Sequence, residues 1–254
     1  MYPFERKEKI LNTIRKEGQI TIQRDAHRFG ISPVTLHRDL EALEKTGQLK
    51  KVRGGAIFTG NSLRETHFDI RMKVNVREKQ EIARKAAEFV KDDTSIFLDH
   101  SSTVLFLARE LKNRRFRNLT LLTNSLVIPS ELGEEKGVQV LLTGGVVEGE
   151  FKALSGRWVT ENLKCLNLHQ IFASVGAISP DQGLMTQVPF IYEVLPEVFT
   201  CSQKINILVD HSKFFKMATY QISPLGPCFT IFTDHKLPKP IKAEVEKKGS
   251  KVIV

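Results

Sequence analysis

Cysteine is scarce in this 254-residue chain, and its three copies stand far apart. Cys165, Cys201 and Cys228 are separated by 36 and 27 positions. That spacing excludes both a CxxC redox pair and a zinc knuckle. An odd, sparse set reads as reduced thiols, the usage of cytoplasmic proteins. Long hydrophobic runs are missing too. No stretch approaches the roughly 18 apolar residues that a membrane span needs. No apolar signal-peptide core follows the opening Met-Tyr-Pro-Phe-Glu-Arg-Lys. Histidine is scattered, without an HxxxH or a His/Cys cluster. The expectation is a cytoplasmic protein with no membrane contact, no metal and no other cofactor.

What is present is apolar residues at 41%, enough for a packed core, and a formal charge of +9. The charge is uneven: positions 1–60 hold 12 basic and 7 acidic residues, a net +5, which leaves +4 for the other 194. A basic first quarter suits a polyanion. The length fits a small domain followed by a larger α/β one.

The first sixty residues carry ordered helix signals. Ile10, Leu11 and Ile14 form an apolar stripe among Arg6, Lys7, Lys9, Arg15 and Lys16, the pattern of an amphipathic helix ended by Gly18. Thr21 is placed to cap a second helix that closes at Phe29-Gly30. Ser32 caps a third, with Pro33 in its first turn. Leu36, Leu40 and Leu43 share the buried face of that helix, which turns Val34 and Arg38 outward with Thr35 and His37 on the flanks. A helix of this kind fits the major groove, where Arg reaches guanine and a Thr methyl touches thymine. Residues 48–57 read as two short strands around a turn, whose Lys50, Lys51 and Arg53 suit phosphate contacts. The domain boundaries are expected at 1–58 for a winged helix-turn-helix, 59–75 for a crossing segment and 76–254 for the larger domain.

From Val76 onward, amphipathic helices alternate with short apolar strands, expected at 94–99, 119–123, 138–142, 171–175, 205–210, 229–233 and 251–254. That alternation predicts a mostly parallel sheet covered on both faces. Ligands of such sheets bind beyond the strand C-termini. The residues there are Asp99, Ser101, Ser102 and Thr103; Thr123, Asn124 and Ser125; Gly144 and Gly145; and Asp210 with Lys213. Together they suit a phosphorylated polyol, with helix termini, glycine N–H groups and Lys213 on phosphate and the two aspartates on hydroxyls. Capping is the plainer role for the serines and threonines. His100 and His211 lie close by, as ligand contacts or as packed imidazoles.

The whole chain resembles the DeoR/GlpR family of bacterial transcriptional regulators. In the first quarter the resemblance is carried by Ser32, Thr35, Arg38-Asp39-Leu40, Leu43-Glu44, Gly47 and Arg53-Gly54-Gly55-Ala56. It continues through Phe97-Leu98-Asp99, Ser102-Thr103, Thr123-Asn124-Ser125, Gly144-Gly145, Gly156, Phe172, Gly183-Leu184 and Asp210-His211-Ser212-Lys213-Phe214. It implies a winged helix-turn-helix joined to an α/β domain similar to ribose-phosphate isomerases. It also implies a repressor of a carbohydrate-catabolic operon that binds a double-stranded DNA operator as a homodimer or homotetramer and answers to a phosphorylated sugar. The alternatives are an activator, an architectural DNA-binding protein with a vestigial sensor, and a sugar-phosphate isomerase; the expectation is that the chain is no enzyme. His37 stands where the family has a basic residue, Ser101 where it has glycine, and Glu197 where it tends to have lysine. In the strand region Phe172-Ala173-Ser174-Val175-Gly176-Ala177 the family's glycine is displaced. These departures imply a changed operator preference and a weaker anion site.

Overall fold

A computed structural model describes residues 3–17, 19–44, 49–52, 54–58, 67–163 and 166–254. They divide into two compact units, Met1–Val74 and Asn75–Val254.

In chain order the first unit contains α1 (Pro3–Glu17), β1 (Gln19–Thr21), α2 (Ile22–Phe29), α3 (Pro33–Glu44), β2 (Leu49–Val52), β3 (Gly55–Phe58) and α4 (Phe68–Arg71). Its core is the stripe read from the sequence: Ile10, Ile14, Leu36 and Leu40 are fully buried, joined by Leu43, Leu49 and Ala56. Gly30 ends α2 in the left-handed region at φ 65°, which glycine adopts without strain. Thr21 departs from expectation, because its side chain makes no cap bond. Instead its N–H donates to Asp25 Oδ2 at 2.7 Å, so the side chain within the helix reaches back to the residue before it. The hairpin β2–β3 also gains a third strand, since β1 pairs with β3 antiparallel and sets Ile20 opposite Ala56. Three residues are too few to show an alternation, and β1 exists because β3 offers it a partner. Gly55 permits that approach, as a Cβ there would stand 1.9 Å from the Ile20 carbonyl oxygen. The result is a winged helix-turn-helix. Gly18, Gly47, Arg53 and positions 59–66 of the expected crossing segment lie outside the described residues.

The second unit runs α5 (Val76–Ala87), β4 (Ser95–Leu98), α6 (Ser102–Lys112), β5 (Leu119–Thr123), α7 (Ile128–Leu132), β6 (Val138–Leu142), β7 (Val146–Glu148), β8 (Ala153–Ser155), α8 (Arg157–Leu163) and β9 (Gln170–Ala173). It continues with β10 (Ala177–Ser179), β11 (Gly183–Thr186), α9 (Pro189–Thr200), β12 (Ile205–Leu208), β13 (Tyr220–Ser223), β14 (Phe229–Phe232), α10 (Lys239–Lys247) and β15 (Lys251–Ile253). Seven strands form one sheet in the order β15-β14-β12-β9-β4-β5-β6, and every pair is parallel. Phe97, Ile171, Ile207 and Ile231 are fully buried in its central strands, as a sheet covered on both faces requires.

Two small antiparallel sheets, β7–β8 and β10–β11–β13, escaped the sequence reading. Their strands of three and four residues pair partly with distant chain, so local periodicity carries little of them. One clue was there: Ser179-Pro180-Asp181-Gln182-Gly183 is a turn sequence, and it joins β10 to β11.

Candidate functional site

Each unit offers its own surface. In the first, Ser32 caps α3 by accepting the Thr35 N–H at 3.1 Å, and its hydroxyl lies 2.8 Å from that of Thr35. Both hydroxyls thus belong to the start of the helix, and Thr35 is half-buried. Val34, His37 and Arg38 are exposed, and Arg38 has no hydrogen bond or ion pair to another described residue. Asp39, the next residue after Arg38, is buried and accepts two hydrogen bonds from Arg6 of α1, at 2.5 and 3.1 Å. That bidentate pair fixes α3 against α1.

The wing is less free than its charges suggest. Lys50 is exposed, but Lys51 is tied to α3 twice: its N–H donates to Glu44 Oε1 at 2.7 Å and its Nζ to Glu41 Oε1 at 2.8 Å. His37 Nδ1 stands 3.6 Å from the same Glu41 oxygen. Lys51, read from sequence as a phosphate contact, ties the wing to the helix in this structure. Arg53 lies outside the described residues.

In the second unit, parallel strands end in loops whose backbone donors need acceptors. Asp99, 1% exposed at the end of β4, supplies two: Oδ1 accepts the Ser101 N–H and Oδ2 the Ser174 N–H, each at 2.8 Å. Asp99, read from sequence as a hydroxyl ligand, fastens the β4 loop to the β9 loop. Ser101 caps α6 by accepting the Val104 N–H, and Ser125 accepts the N–H groups of Val127 and Ile128 at the start of α7. Thr123 donates to the Leu98 carbonyl at 2.6 Å and accepts from Ser125. Capping and loop closure therefore engage the oxygens of these hydroxyls. Ser102 and Thr103, both buried, form the first turn of α6.

Asn124 is different. It is 2% exposed, and its Nδ2 donates to the Leu154 carbonyl at 3.1 Å and lies 3.4 Å from His100 Nδ1. Its Oδ1 is buried without a partner, an acceptor left open. The His100 ring packs 5.5 Å from that of Phe190, which meets Phe151 edge-on at 5.2 Å. Neither phenylalanine was picked from the sequence, because α9 and the loop before β8 reach this spot only through the fold.

Gly144 and Gly145 both have positive φ, 71° and 129°. Gly144 faces open space, whereas a Cβ on Gly145 would stand 2.5 Å from the Ser155 carbonyl oxygen. The second glycine thus serves the close approach of β8. At the end of β12, Asp210 Oδ1 accepts from Asn75 Nδ2 at 2.9 Å, the Ser212 N–H at 3.0 Å and the Ser212 hydroxyl at 2.5 Å. Burial pushes the Asp210 carboxyl up, but the Ser212 hydroxyl, the charges of Lys213 and Lys79 and the Ser212 N–H outweigh it and hold it below the usual range. So engaged, Asp210 is a poor general base for an isomerase. Lys213 Nζ makes no hydrogen bond or close ion pair among the described residues, and its charge acts on Asp210. His211 is held by the buried Asp234, its Nδ1 3.0 Å from Oδ1.

The sheet order separates these groups. From β12 through β9, β4 and β5 to β6 there are four interstrand gaps, about 19 Å at ~4.8 Å each. One monosaccharide phosphate does not touch Lys213 at one end and Gly144 at the other. The chain runs outward from β4 to β6 on one side and through β9, β12, β14 and β15 on the other, so the topological switch lies between β4 and β9. That is where open α/β sheets hold ligands, and Asp99 and Ser101 stand there.

Residues 6–61 match the DeoR-like helix-turn-helix domain, and residues 74–235 match the DeoR C-terminal sensor domain. This chain belongs to the DeoR family. It is a DNA-binding transcriptional regulator. It is similar to the HTH-type transcriptional regulator GolR of Listeria innocua, at 31% identity over 98% of this chain and 97% of that protein. It is also similar to the lactose phosphotransferase system repressor of Lactococcus lactis, at 31% identity over 91% of both chains. Among solved structures, ribose 5-phosphate isomerase A of Methanocaldococcus jannaschii gives a partial likeness, with TM-score 0.41, 18% identity and 55% of each chain covered.

Two of the departures from the family pattern change meaning in this DeoR-family regulator. Glu197 lies seven residues beyond Phe190 on α9, about 10 Å along the helix, and is exposed. Its carboxylate is therefore turned to solvent, away from the ring of Phe190 along the helix. Ser101, in place of glycine, supplies the cap of α6. Among the described residues no helix is long and apolar enough to cross a membrane, and no His/Cys/Asp/Glu cluster suits a metal.

Proposed function

We propose that this regulator represses a carbohydrate-catabolic operon and is released from its operator by a phosphorylated sugar. Two copies present α3 to two half-sites of double-stranded DNA, with Arg38 and Lys50 in contact with the duplex and the Ser32-capped end of α3 against phosphate. The effector lies at the β4–β9 switch and the neighbouring β5 end. There the first turn of α6, Ser102 and Thr103, suits the phosphate, and Asn124 accepts from a hydroxyl. The observation that carries this reading is Asn124 Oδ1, a buried acceptor without a partner beside the His100–Phe190 pair. The similarity to a repressor named for the lactose phosphotransferase system supports the substrate class. Lys213 lies one strand beyond the switch and suits an anionic group of a longer ligand.

DNA and effector affinities are then coupled reciprocally. The test is operator binding by the full chain against a panel of pentose and hexose phosphates. One member is expected to weaken binding, and Asn124→Ala is expected to abolish that response while leaving DNA affinity intact. Unchanged operator affinity across the panel would remove the sensor half of the reading.

A further inference from the structure

Val34 occupies the first turn of α3 and is 69% exposed, although its side chain is a branched aliphatic. Single exposed aliphatics are ordinary, so exposure alone says little. Its neighbours give it meaning. Val34 and Arg38 are four residues apart on one helix face, within a first quarter that carries a net +5. Glu41, next along that face, is engaged by Lys51. The charge around Val34 therefore suits a polyanion, and its own surface suits a methyl group.

The other candidate methyl on this helix is that of Thr35. Its hydroxyl is held by Ser32 at 2.8 Å and the residue is half-buried, so it presents less surface than Val34. We infer that Val34 reads the 5-methyl group of a thymine in the major groove and is a specificity-determining contact of this regulator. The inference rests on α3 being the helix that enters the groove. Residues four apart advance about 6 Å along a helix, and base pairs follow each other at about 3.4 Å. The thymine therefore lies about two base pairs from the point that Arg38 meets. Covering one methyl group is worth about four-fold in affinity.

The experiment selects sites for the full-length protein from a pool of random duplexes. Each thymine of the selected half-site is then replaced by deoxyuridine, which removes only the methyl. Wild type is expected to lose about four-fold at one thymine. Val34→Ser is expected to lose as much on the unmodified site and to be indifferent to deoxyuridine there, while Val34→Ile keeps the sensitivity. Wild type indifferent at every thymine, or Val34→Ser still sensitive, overturns the role of Val34 alone. If no site is selected at all, the groove-entering role of α3 falls, and this inference with it.

Discussion

The two units bury carboxylates in different ways. In the helix-turn-helix, Asp39 pairs with Arg6, and Asp25 with Arg24 at 2.9 Å, besides accepting the Thr21 N–H. In the sheet domain, Asp99 takes the N–H groups of Ser101 and Ser174, and Asp234 those of His211 and Lys236. Helices satisfy most of their own backbone donors, so Asp39 of α3 is available to bind the Arg6 side chain of α1. Parallel strands end with donors that have lost the ladder, so acids there supply the missing acceptors. In the head, Arg38 is left without a hydrogen bond or ion pair to another described residue. The sheet domain has its strand-end acids occupied and few polar groups left for a ligand.

That contrast can be broken by substitution. Asp99→Ala orphans two backbone donors in a site that is 1% exposed, and about 1–3 kcal/mol for each predicts a loss of roughly 2–6 kcal/mol in denaturant unfolding of the sheet domain. Asp39→Ala leaves Arg6 free to reach water and should cost less, about 1–3 kcal/mol. A larger loss for Asp39 than for Asp99 would reverse the comparison.

Glu81 sharpens it on the pH axis. Burial raises its carboxyl, but hydrogen bonds from Lys85 and His235 and their charges more than reverse this and bring it down to about 2. A depressed carboxyl stabilises the fold above its unfolded value, and the contribution is lost as pH falls from about 4.5 toward 2. Stability measured across that window should drop more steeply in wild type than in Glu81→Gln; parallel curves would remove Glu81 from the acid response.

The smallest effect belongs to the wing. Glu41→Gln breaks an exposed pair with Lys51 worth about 0.2–1 kcal/mol. If the freed ammonium then meets a phosphate, the slope of log affinity against log salt steepens by about 0.9. An unchanged slope would mean that Lys51 gains no phosphate contact even when released.

Much of the head was legible. Ser32, Pro33, Leu36, Leu40 and Leu43 announce α3 because caps and a 3.6-residue period are local properties. The seven strands of the large sheet were legible for a similar reason, as short apolar runs between amphipathic helices. What stayed hidden was every feature made by distant chain. β1 needs Gly55 beside Ile20, and β13 needs β11, from which it is separated by α9 and β12. The strand-end residues were found as residue types, but their duties were not, since Asp99 and a free aspartate look alike in sequence.

By itself, then, the sequence determined that this protein carries a basic helix-turn-helix unit followed along the chain by a parallel-sheet domain. Caps, periodicity and charge act over a few residues and need no partner to be read. Only the tertiary structure decided which polar groups remain open: Asp99 and Lys51 are engaged by other parts of the chain, while Asn124 Oδ1 and, among the described residues, Arg38 are not. A hydrogen bond needs a partner within about 3 Å, and which partner arrives there is a property of the fold.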